Sequence, residues 1–210
     1  KKRYAVMVYD LEGKRMDVEG KPGKVKAMGL DLKRSDTPKV IQDFLSEVLT
    51  HTLIGGSKPE IIDRIREFKL EFTQRPGWEK GSPKRVNNLT KYQKLQEKNG
   101  KTNMPGHVRA ALNWNTLRRM NSDAYSTEMT DGMKIIVCKL KQNPLGYTSI
   151  AYPIDQLRLP QWFQDLPFDH AAMESTVIDG KIQNLLGVLN WDLNTQTNTE
   201  NTFQSLFEFE

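Results

Sequence analysis

Cysteine and histidine are scarce in this sequence. Its 210 residues include one cysteine, Cys138, and three histidines, His51, His107 and His170. A single cysteine excludes an internal disulfide, and the histidines lack the spacing of a zinc site. Cys138 lies in the apolar segment MKIIVCKLK, which predicts a structural thiol buried in a strand rather than a nucleophile. A reducing, cytoplasmic compartment therefore fits the sequence best.

Long apolar runs and catalytic motifs are also missing. No apolar stretch reaches the ~18 residues that cross a bilayer. The sequence has no glycine-rich phosphate loop, no Ser-His-Asp arrangement and no metal-ligand cluster. Asp10 and Glu12 flank a turn at which a metal ion could bind, but exposed carboxylates are common in turns. The chain alone is a poor candidate for an enzyme.

Positive charge is concentrated in the first part of the sequence. The formal net charge is +5, yet residues 1–150 carry 29 lysines and arginines against 17 acidic residues, and residues 151–210 carry 2 against 9. A basic body followed by an acidic end suggests a polyanionic partner for the body. A basic surface that is only solvated explains the composition about equally well.

The hydrophobic pattern predicts an α+β fold. Short strands with turns between them are indicated at 3–10, 15–18 and 25–30, as a small antiparallel meander. In KRSDTP (33–38), Thr37 or Asp36 is expected to cap a helix with Pro38 in its first turn.

Mainly helical structure is predicted beyond residue 38. Two amphipathic helices lie on either side of IGGSKPE (54–60), and their apolar stripes predict mutual packing. Residues 74–88 are predicted to be a loop. The later elements are a helix, a pair of strands that form a β-hairpin, and a last amphipathic helix, at 107–120, 133–152 and 173–193.

Three polar, basic segments are typical of a surface that binds duplex nucleic acid. KRSDTP offers two cations, two hydroxyls and a helix start within six residues. PKRVNNLTKY (83–92) and PGHVRAALNWN (105–115) add further cations and amides. The candidate contacts are Lys33, Arg34, Ser35, Thr37, Lys84, Arg85, Asn87, Asn88, Lys91, Tyr92, His107 and Arg109.

The order of these motifs resembles the family B DNA polymerases of the T-even bacteriophage type. KKRY (1–4) followed by a strand resembles the family's Lys-x-Tyr motif on the palm. MGLDLKRSDTPKVIQ (28–42) resembles the junction of palm and thumb. RVNNLTKY, PGHVRAALNWN, KQNPLGYTSIAYP and the terminal SLF then follow in the order expected for the thumb and C-terminus.

The resemblance implies the C-terminal portion of such an enzyme. Residues 1–32 would be the last palm strands, a small antiparallel palm remnant. Residues 33–193 would be a mainly helical thumb with a β-hairpin, and residues 194–210 a flexible linker and clamp-binding tail. The start of the sequence, without Met, suggests a truncated chain, and one subunit of a split polymerase is the other explanation.

The resemblance also implies roles for single residues. Lys2 would reach the minor groove near the primer end, where hydrogen-bond acceptors are common to all correct base pairs; a solvated strand end is the alternative. Tyr4 would lie against the primer strand, whereas the sequence without the resemblance favours core packing for this tyrosine. Leu206, Phe207 and Phe209 would dock on a sliding clamp, because exposed aromatics at a terminus favour a partner that buries them. A tail packed on its own domain is the alternative to clamp docking.

For the complete polymerase, the resemblance implies DNA-directed nucleotidyl transfer in DNA replication, with Mg²⁺ as cofactor. This portion would lack the catalytic aspartates and hold no cofactor, so we expect no polymerisation by the chain alone. The expected partners are primer–template duplex DNA, the N-terminal portion of the polymerase and the sliding clamp, in the host cell cytoplasm. An independent, non-catalytic module for double-stranded DNA is the alternative, and an interaction domain that avoids nucleic acid is a third reading.

Overall fold

A computed structural model describes residues 3–100 and 102–191. Two clusters of buried apolar side chains divide them into two lobes. The first lobe comprises residues 3–73 and 177–191, and the second comprises the described residues between 77 and 174. Helices and small antiparallel sheets occur in both, which confirms the α+β class. The predicted boundary between residues 32 and 33 lies within the first lobe and stays a prediction.

The N-terminal strands form a long, interrupted hairpin. β1 (Tyr4–Val8) pairs antiparallel with β4 (Lys24–Met28), and β2 (Asp10–Leu11) pairs with β3 (Lys14–Arg15). The predicted meander is therefore wrong in its order, because the third predicted strand pairs with the first. The Asp10 carboxylate accepts a hydrogen bond from the Gly13 backbone at 2.8 Å, and Gly13 has a φ of 80°. This tight turn folds the chain back at once.

The two predicted helices of the first lobe are confirmed. α1 (Lys39–Leu53) and α2 (Lys58–Thr73) pack through their apolar stripes, with the rings of Phe44 and Phe68 stacked at 3.8 Å between centroids. Neither Asp36 nor Thr37 caps α1, whose preceding residue is Pro38. The Gln42 amide instead donates to the carbonyls of Arg34 and Thr37 and closes the turn before the helix.

The second lobe is built on a three-stranded antiparallel sheet. Its order is β5 (Ser82–Arg85), β6 (Lys134–Lys139) and β7 (Ser149–Pro153), so the predicted β-hairpin gains a third strand. The loop predicted at 74–88 is wrong in this part, since it contains β5 and a 3₁₀ helix at Gly77–Lys80. The register pairs Pro83 with Ile136 and Ile136 with Tyr152.

Helices cover one face of this sheet and complete both lobes. α3 (Leu89–Asn99) and α4 (Gly106–Met120) follow β5, and α4 packs on β7. The remaining helices are α5 (Gln161–Gln164), α6 (His170–Glu174) and α7 (Gly180–Leu189). A π-helical turn at Ser175–Asp179 joins α6 to α7, so the last predicted helix exists but passes from one lobe into the other. None of the helices within the described residues is both long and apolar enough to cross a membrane.

Candidate nucleic-acid interface

A cleft of about 1150 Å³ lies between the two lobes. One wall is the segment 34–42, at and before the start of α1. The facing wall is the sheet surface formed by β5, β6 and β7. The connection between the lobes also lines the cleft, through Arg75, Trp78 and Glu79. The cleft is thus open to a ligand that touches both lobes at once.

The lining of this cleft is strongly basic. Six cationic side chains line it against two carboxylates, those of Asp36 and Glu79. A cleft of one charge sign concentrates oppositely charged ligands, and two low-dielectric walls strengthen the effect. The six cations are Arg34, Lys39, Arg75, Lys84, Arg85 and Lys134.

Both carboxylates in the cleft are held by cations. Arg34 donates two hydrogen bonds to Asp36, both at 3.1 Å, and the Lys84 ammonium lies 3.5 Å from the same carboxylate. Burial alone would raise the pKa of Asp36, but these contacts outweigh it and lower that pKa. Glu79 pairs with Arg75 at 3.2 Å. Asp36 therefore draws the two walls together and stays ionised.

The start of α1 presents polar groups to the cleft. The first backbone N–H groups of an α-helix have no intrahelical acceptor, and they favour anions. No side chain caps this helix. Thr37 is 1% exposed, and its hydroxyl has no hydrogen-bond partner among the described residues. Ser35 is exposed. This end of the cleft thus offers the Ser35 hydroxyl and the first backbone N–H groups of α1 beside Arg34, whereas the Thr37 hydroxyl is buried.

The opposite wall combines an apolar floor with a basic edge. Pro83, Ile136 and Tyr152 lie side by side across the sheet, and Arg85 and Lys134 are paired two residues further along, in the next row on the same face. The Tyr152 hydroxyl donates to the Trp78 carbonyl at 2.9 Å, and burial raises the pKa of this phenol. Tyr152 is therefore neutral and fixes the connection between the lobes to the sheet.

Five of the residues predicted from the sequence converge in this cleft: Arg34, Ser35, Thr37, Lys84 and Arg85. Thr37 differs from the expectation of an open phosphate contact because its side chain is buried. Lys33 is exposed at the end of a short 3₁₀ helix, Asp31–Lys33, and does not line the cleft.

His107 lies on the other side of β5. It lines a second groove of about 310 Å³ together with Lys84. Burial, followed by the positive charge of Lys84, lowers the pKa of His107. Lys84 therefore stands between the cleft and this groove, and His107 does not enter the cleft.

The other predicted contacts surround the first turns of α3 and α4. Asn87, Asn88 and Lys91 are exposed, and Asn88 precedes α3 with a φ of 61°. Tyr92 is half-buried against the core of the second lobe. Arg109 is exposed on α4, and its guanidinium donates to the Thr102 carbonyl at 3.4 Å. These residues do not line the cleft.

Tyr4 is remote from the cleft lining as well. It lies on β1, is 38% exposed, and its hydroxyl donates to the Met28 sulfur at 2.9 Å. Lys2 and the predicted clamp-binding residues Leu206, Phe207 and Phe209 lie outside the described residues.

Sequence reasoning missed half of the cleft's cations. Lys39, Arg75 and Lys134 line the cleft but belong to segments that were predicted as an ordinary helix, loop and strand. For Lys134 the available signal was its place at the end of a strand, and only the register with Arg85 shows where it points. No signal in the sequence marked Arg75.

The side chains that most often bind metal ions are dispersed in the parts of the chain that the structure describes. No three side chains of His, Cys, Asp or Glu come together within residues 3–100 and 102–191. Asp10, the carboxylate next to the first turn, accepts a hydrogen bond from the Gly13 backbone.

Comparisons with known proteins agree with the motif order. No family model matches the chain. It is 33% identical over 154 residues to the DNA-directed DNA polymerase of Enterobacteria phage T4, and 35% identical over 154 residues to that of Escherichia phage RB69. Each match covers 73% of this chain and 16% of the relative, so the chain spans about a sixth of these curated relatives. The chain is therefore similar in sequence to a portion of the family B DNA polymerases of T-even-type phages, which confirms the resemblance predicted from its motifs.

Proposed function

We propose that this chain is the C-terminal, thumb-bearing part of a replicative family B DNA polymerase, and that it grips primer–template duplex in the cleft between its lobes. The observation that carries the proposal is the convergence of two predicted segments, 34–37 and 84–85, on one basic cleft. They are separated by two helices in sequence, and nothing in their composition requires them to meet.

The chemistry of the cleft suits a phosphate backbone. Six cations can neutralise phosphates and release counterions, which gives an affinity that falls steeply with salt. The start of α1 adds backbone N–H groups and the Ser35 hydroxyl, which position phosphates without reading bases. A grip of this kind holds every duplex sequence equally, as a replicative enzyme requires.

The catalytic step belongs to another part of the polymerase. In the complete enzyme, bound Mg²⁺ would supply charge stabilisation for in-line displacement at a phosphate. We propose that the carboxylates that would hold these ions belong to the N-terminal portion of the polymerase. We expect no polymerisation by this chain alone. Its role is to hold the primer–template duplex, with Lys2 near the primer end.

The exposed face of the β1–β4 pair is the proposed contact with the N-terminal portion of the polymerase. Ala5 and Ala27 face the first lobe's core, whereas Tyr4, Val6 and Met28 are 38%, 44% and 52% exposed. Three large apolar side chains on one small sheet are typical of a covered surface. The relatives are about six times longer than the matched region, which leaves ample chain to cover it.

The proposed clamp contact depends on Leu206, Phe207 and Phe209. Calorimetric titration of a sliding clamp with the intact chain should show binding. A variant with all three residues changed to alanine should lose it while keeping its affinity for duplex DNA. Equal clamp binding by both proteins would reject the contact.

A primer-extension assay distinguishes this proposal from the alternative of an independent DNA-binding module. The chain is added to a separately produced N-terminal polymerase portion and a primed template. Restored synthesis is the expected result. Duplex binding without any rescue favours the independent module, and absence of salt-sensitive binding favours an interaction domain that avoids nucleic acid.

Charge reversal tests whether the chain holds duplex DNA through its phosphates. Changing Lys84, Arg85 and Lys91 to glutamate should weaken binding to the same extent on unrelated duplex sequences. A loss confined to one sequence would contradict a backbone grip, because phosphates carry no sequence information.

A further inference from the structure

Lys80 is a fully buried lysine with three hydrogen-bond partners. Its side chain is 0% exposed, although lysine is among the residues least often buried. The ammonium lies 2.9 Å from the Thr73 carbonyl, 2.8 Å from His170 Nδ1 and 2.7 Å from Glu174 Oε1. All three N–H donors of the ammonium are therefore used.

These partners lie at both of the connections between the lobes. Thr73 is the last residue of α2, where the chain leaves the first lobe. Glu174 is the last residue of α6, where the chain leaves the second lobe to return. One buried ammonium thus joins the two crossings, which are separated by about a hundred residues along the chain.

The segment that carries Lys80 is fixed to the second lobe. A Cβ atom on Gly77 would lie 2.4 Å from Phe168 Cβ, and one on Gly81 would lie 2.5 Å from the Ile136 side chain. The Trp78 carbonyl accepts the hydrogen bond from Tyr152. The first connection between the lobes can therefore bend between Thr73 and Gly77. The return connection can bend at the π-helical turn, a geometry that is common at functional sites.

We infer that Lys80 is a positioning residue, whose contacts with Thr73, His170 and Glu174 lock both crossings and thereby fix the separation of the walls of the basic cleft. The consequence for DNA rests on the proposed function, while the separation of the lobes can be measured without DNA. Arg75, Trp78 and Glu79, which precede Lys80, line the cleft themselves. Across the cleft the walls are also joined by the partly exposed Lys84–Asp36 pair at 3.5 Å. An exposed ion pair of this kind is weak, so loss of the lock lets the wall at α1 move relative to the sheet.

The His170 contact makes the lock sensitive to acid. Nδ1 must be unprotonated to accept from Lys80. Burial and the Lys80 ammonium lower the pKa of His170; Lys141 acts the same way, while Glu174 and Asp169 oppose them. When the lobes separate, the pKa of the His170 ring returns to its ordinary value of 6.5. The separated state therefore binds a proton more readily, and falling pH favours it once the pH drops below that value.

Distance measurements between the lobes test the inference. Spin labels are placed on Leu70→Cys in α2 and Gln96→Cys in α3, both exposed helix positions, while Cys138 is buried and escapes labelling. The parent protein should give one narrow distance distribution, and Lys80→Met a broad one. Lys181→Met is the matched control, because Lys181 is largely buried and pairs with Asp31 at 3.0 Å within the first lobe, outside both crossings. It should leave the distribution narrow.

A second set of distance measurements, made at different pH values, tests the inference even if Lys80→Met does not fold. The parent distribution should broaden between about pH 7.5 and about pH 5.5, and that of His170→Gln, whose amide oxygen accepts at any pH, should not. A folded Lys80→Met protein with an unchanged distribution would overturn the inference. If Lys80→Met does not fold, a parent distribution that does not respond to pH would overturn it.

Duplex affinity provides the functional readout. If the competent separation is populated about one tenth of the time in Lys80→Met, the apparent Kd rises about tenfold. Lys181→Met should bind as the parent does. Broadened distances in a protein that never binds duplex would refute the proposed function but leave the lock in place. An unchanged Kd despite broadened distances would show that the lock does not fix the separation of the cleft walls that duplex binding requires.

Discussion

Ion pairing decides which residues of the cleft are available to a phosphate. Arg34, Lys39 and Arg75 each have a carboxylate within the protein, at 3.1, 2.6 and 3.2 Å. Arg85 and Lys134 make no ion pair with any residue in the described parts of the chain. A phosphate competes with existing partners at the first three and meets no such competition at the last two.

Arg85→Ala should therefore weaken duplex binding on every sequence and reduce the salt slope of log K by about one. The measurement is a set of fluorescence-anisotropy titrations at several salt concentrations. Arg66→Ala on the outer part of α2 is the matched control and should leave both affinity and slope unchanged. Equal losses for the two variants would indicate a diffuse charge effect.

Asp123 is a structural carboxylate whose hydrogen bonds sharply lower its pKa. Burial would raise that pKa, but donors from Ser126, Trp162 and the Tyr125 backbone lower it from 3.8 to about 2. The stabilisation of the protein by ionised Asp123 is thus fully present above pH 3.8 and is lost as the pH falls through about 2. Because the Asp123 carboxylate is partly exposed and screened by water, Asp123→Asn should cost only about 1 kcal/mol near neutrality.

Urea unfolding at several pH values measures this cost. The difference between the parent and Asp123→Asn should shrink as the pH approaches about 2. A difference independent of pH would assign the effect to packing rather than to the charged carboxylate.

Among the secondary-structure elements, hydrophobic periodicity predicted the helices that bury one face. α1 and α2 are recoverable from the sequence because their apolar residues recur at helical spacing and are buried in one core. β5 was missed because SPKR has no strand-like alternation, and pairing with β6 alone makes it a strand. Half of the cleft was predictable from clustered cations. Lys80 was not, since its burial depends on partners 90 and 94 residues away.

Two glycines separate packing from helix propensity. Gly77→Ala should destabilise the protein by about 1–3 kcal/mol, because the new methyl group would overlap Phe168. Gly187→Ala in α7 meets nothing within 4 Å and should stabilise by about 0.5–1 kcal/mol. Denaturant midpoints with unchanged m-values measure both. Destabilisation by Gly187→Ala would contradict the exposed position of that residue.

In the whole molecule, the two lobes contribute different surfaces. The first lobe presents the start of α1 and the exposed face of the β1–β4 pair, and the second supplies the sheet wall of the cleft. A duplex in the cleft touches both lobes, while the β1–β4 face remains available to the rest of a polymerase.

Val6→Glu should consequently block association with a separately produced N-terminal polymerase portion and leave duplex affinity unchanged. Leu70→Glu, at a 68% exposed apolar position on α2, is the control and should affect neither. Co-sedimentation measures association. Unimpaired association of Val6→Glu would place the contact elsewhere.

Duplex binding by the intact chain over a range of salt concentrations is the decisive test of the proposed grip on DNA. For unrelated duplexes of about 20 base pairs, we predict equal affinities and a log K that falls linearly with log salt, with a slope of several units from six lining cations. No binding at low salt, or binding that salt does not weaken, would contradict it.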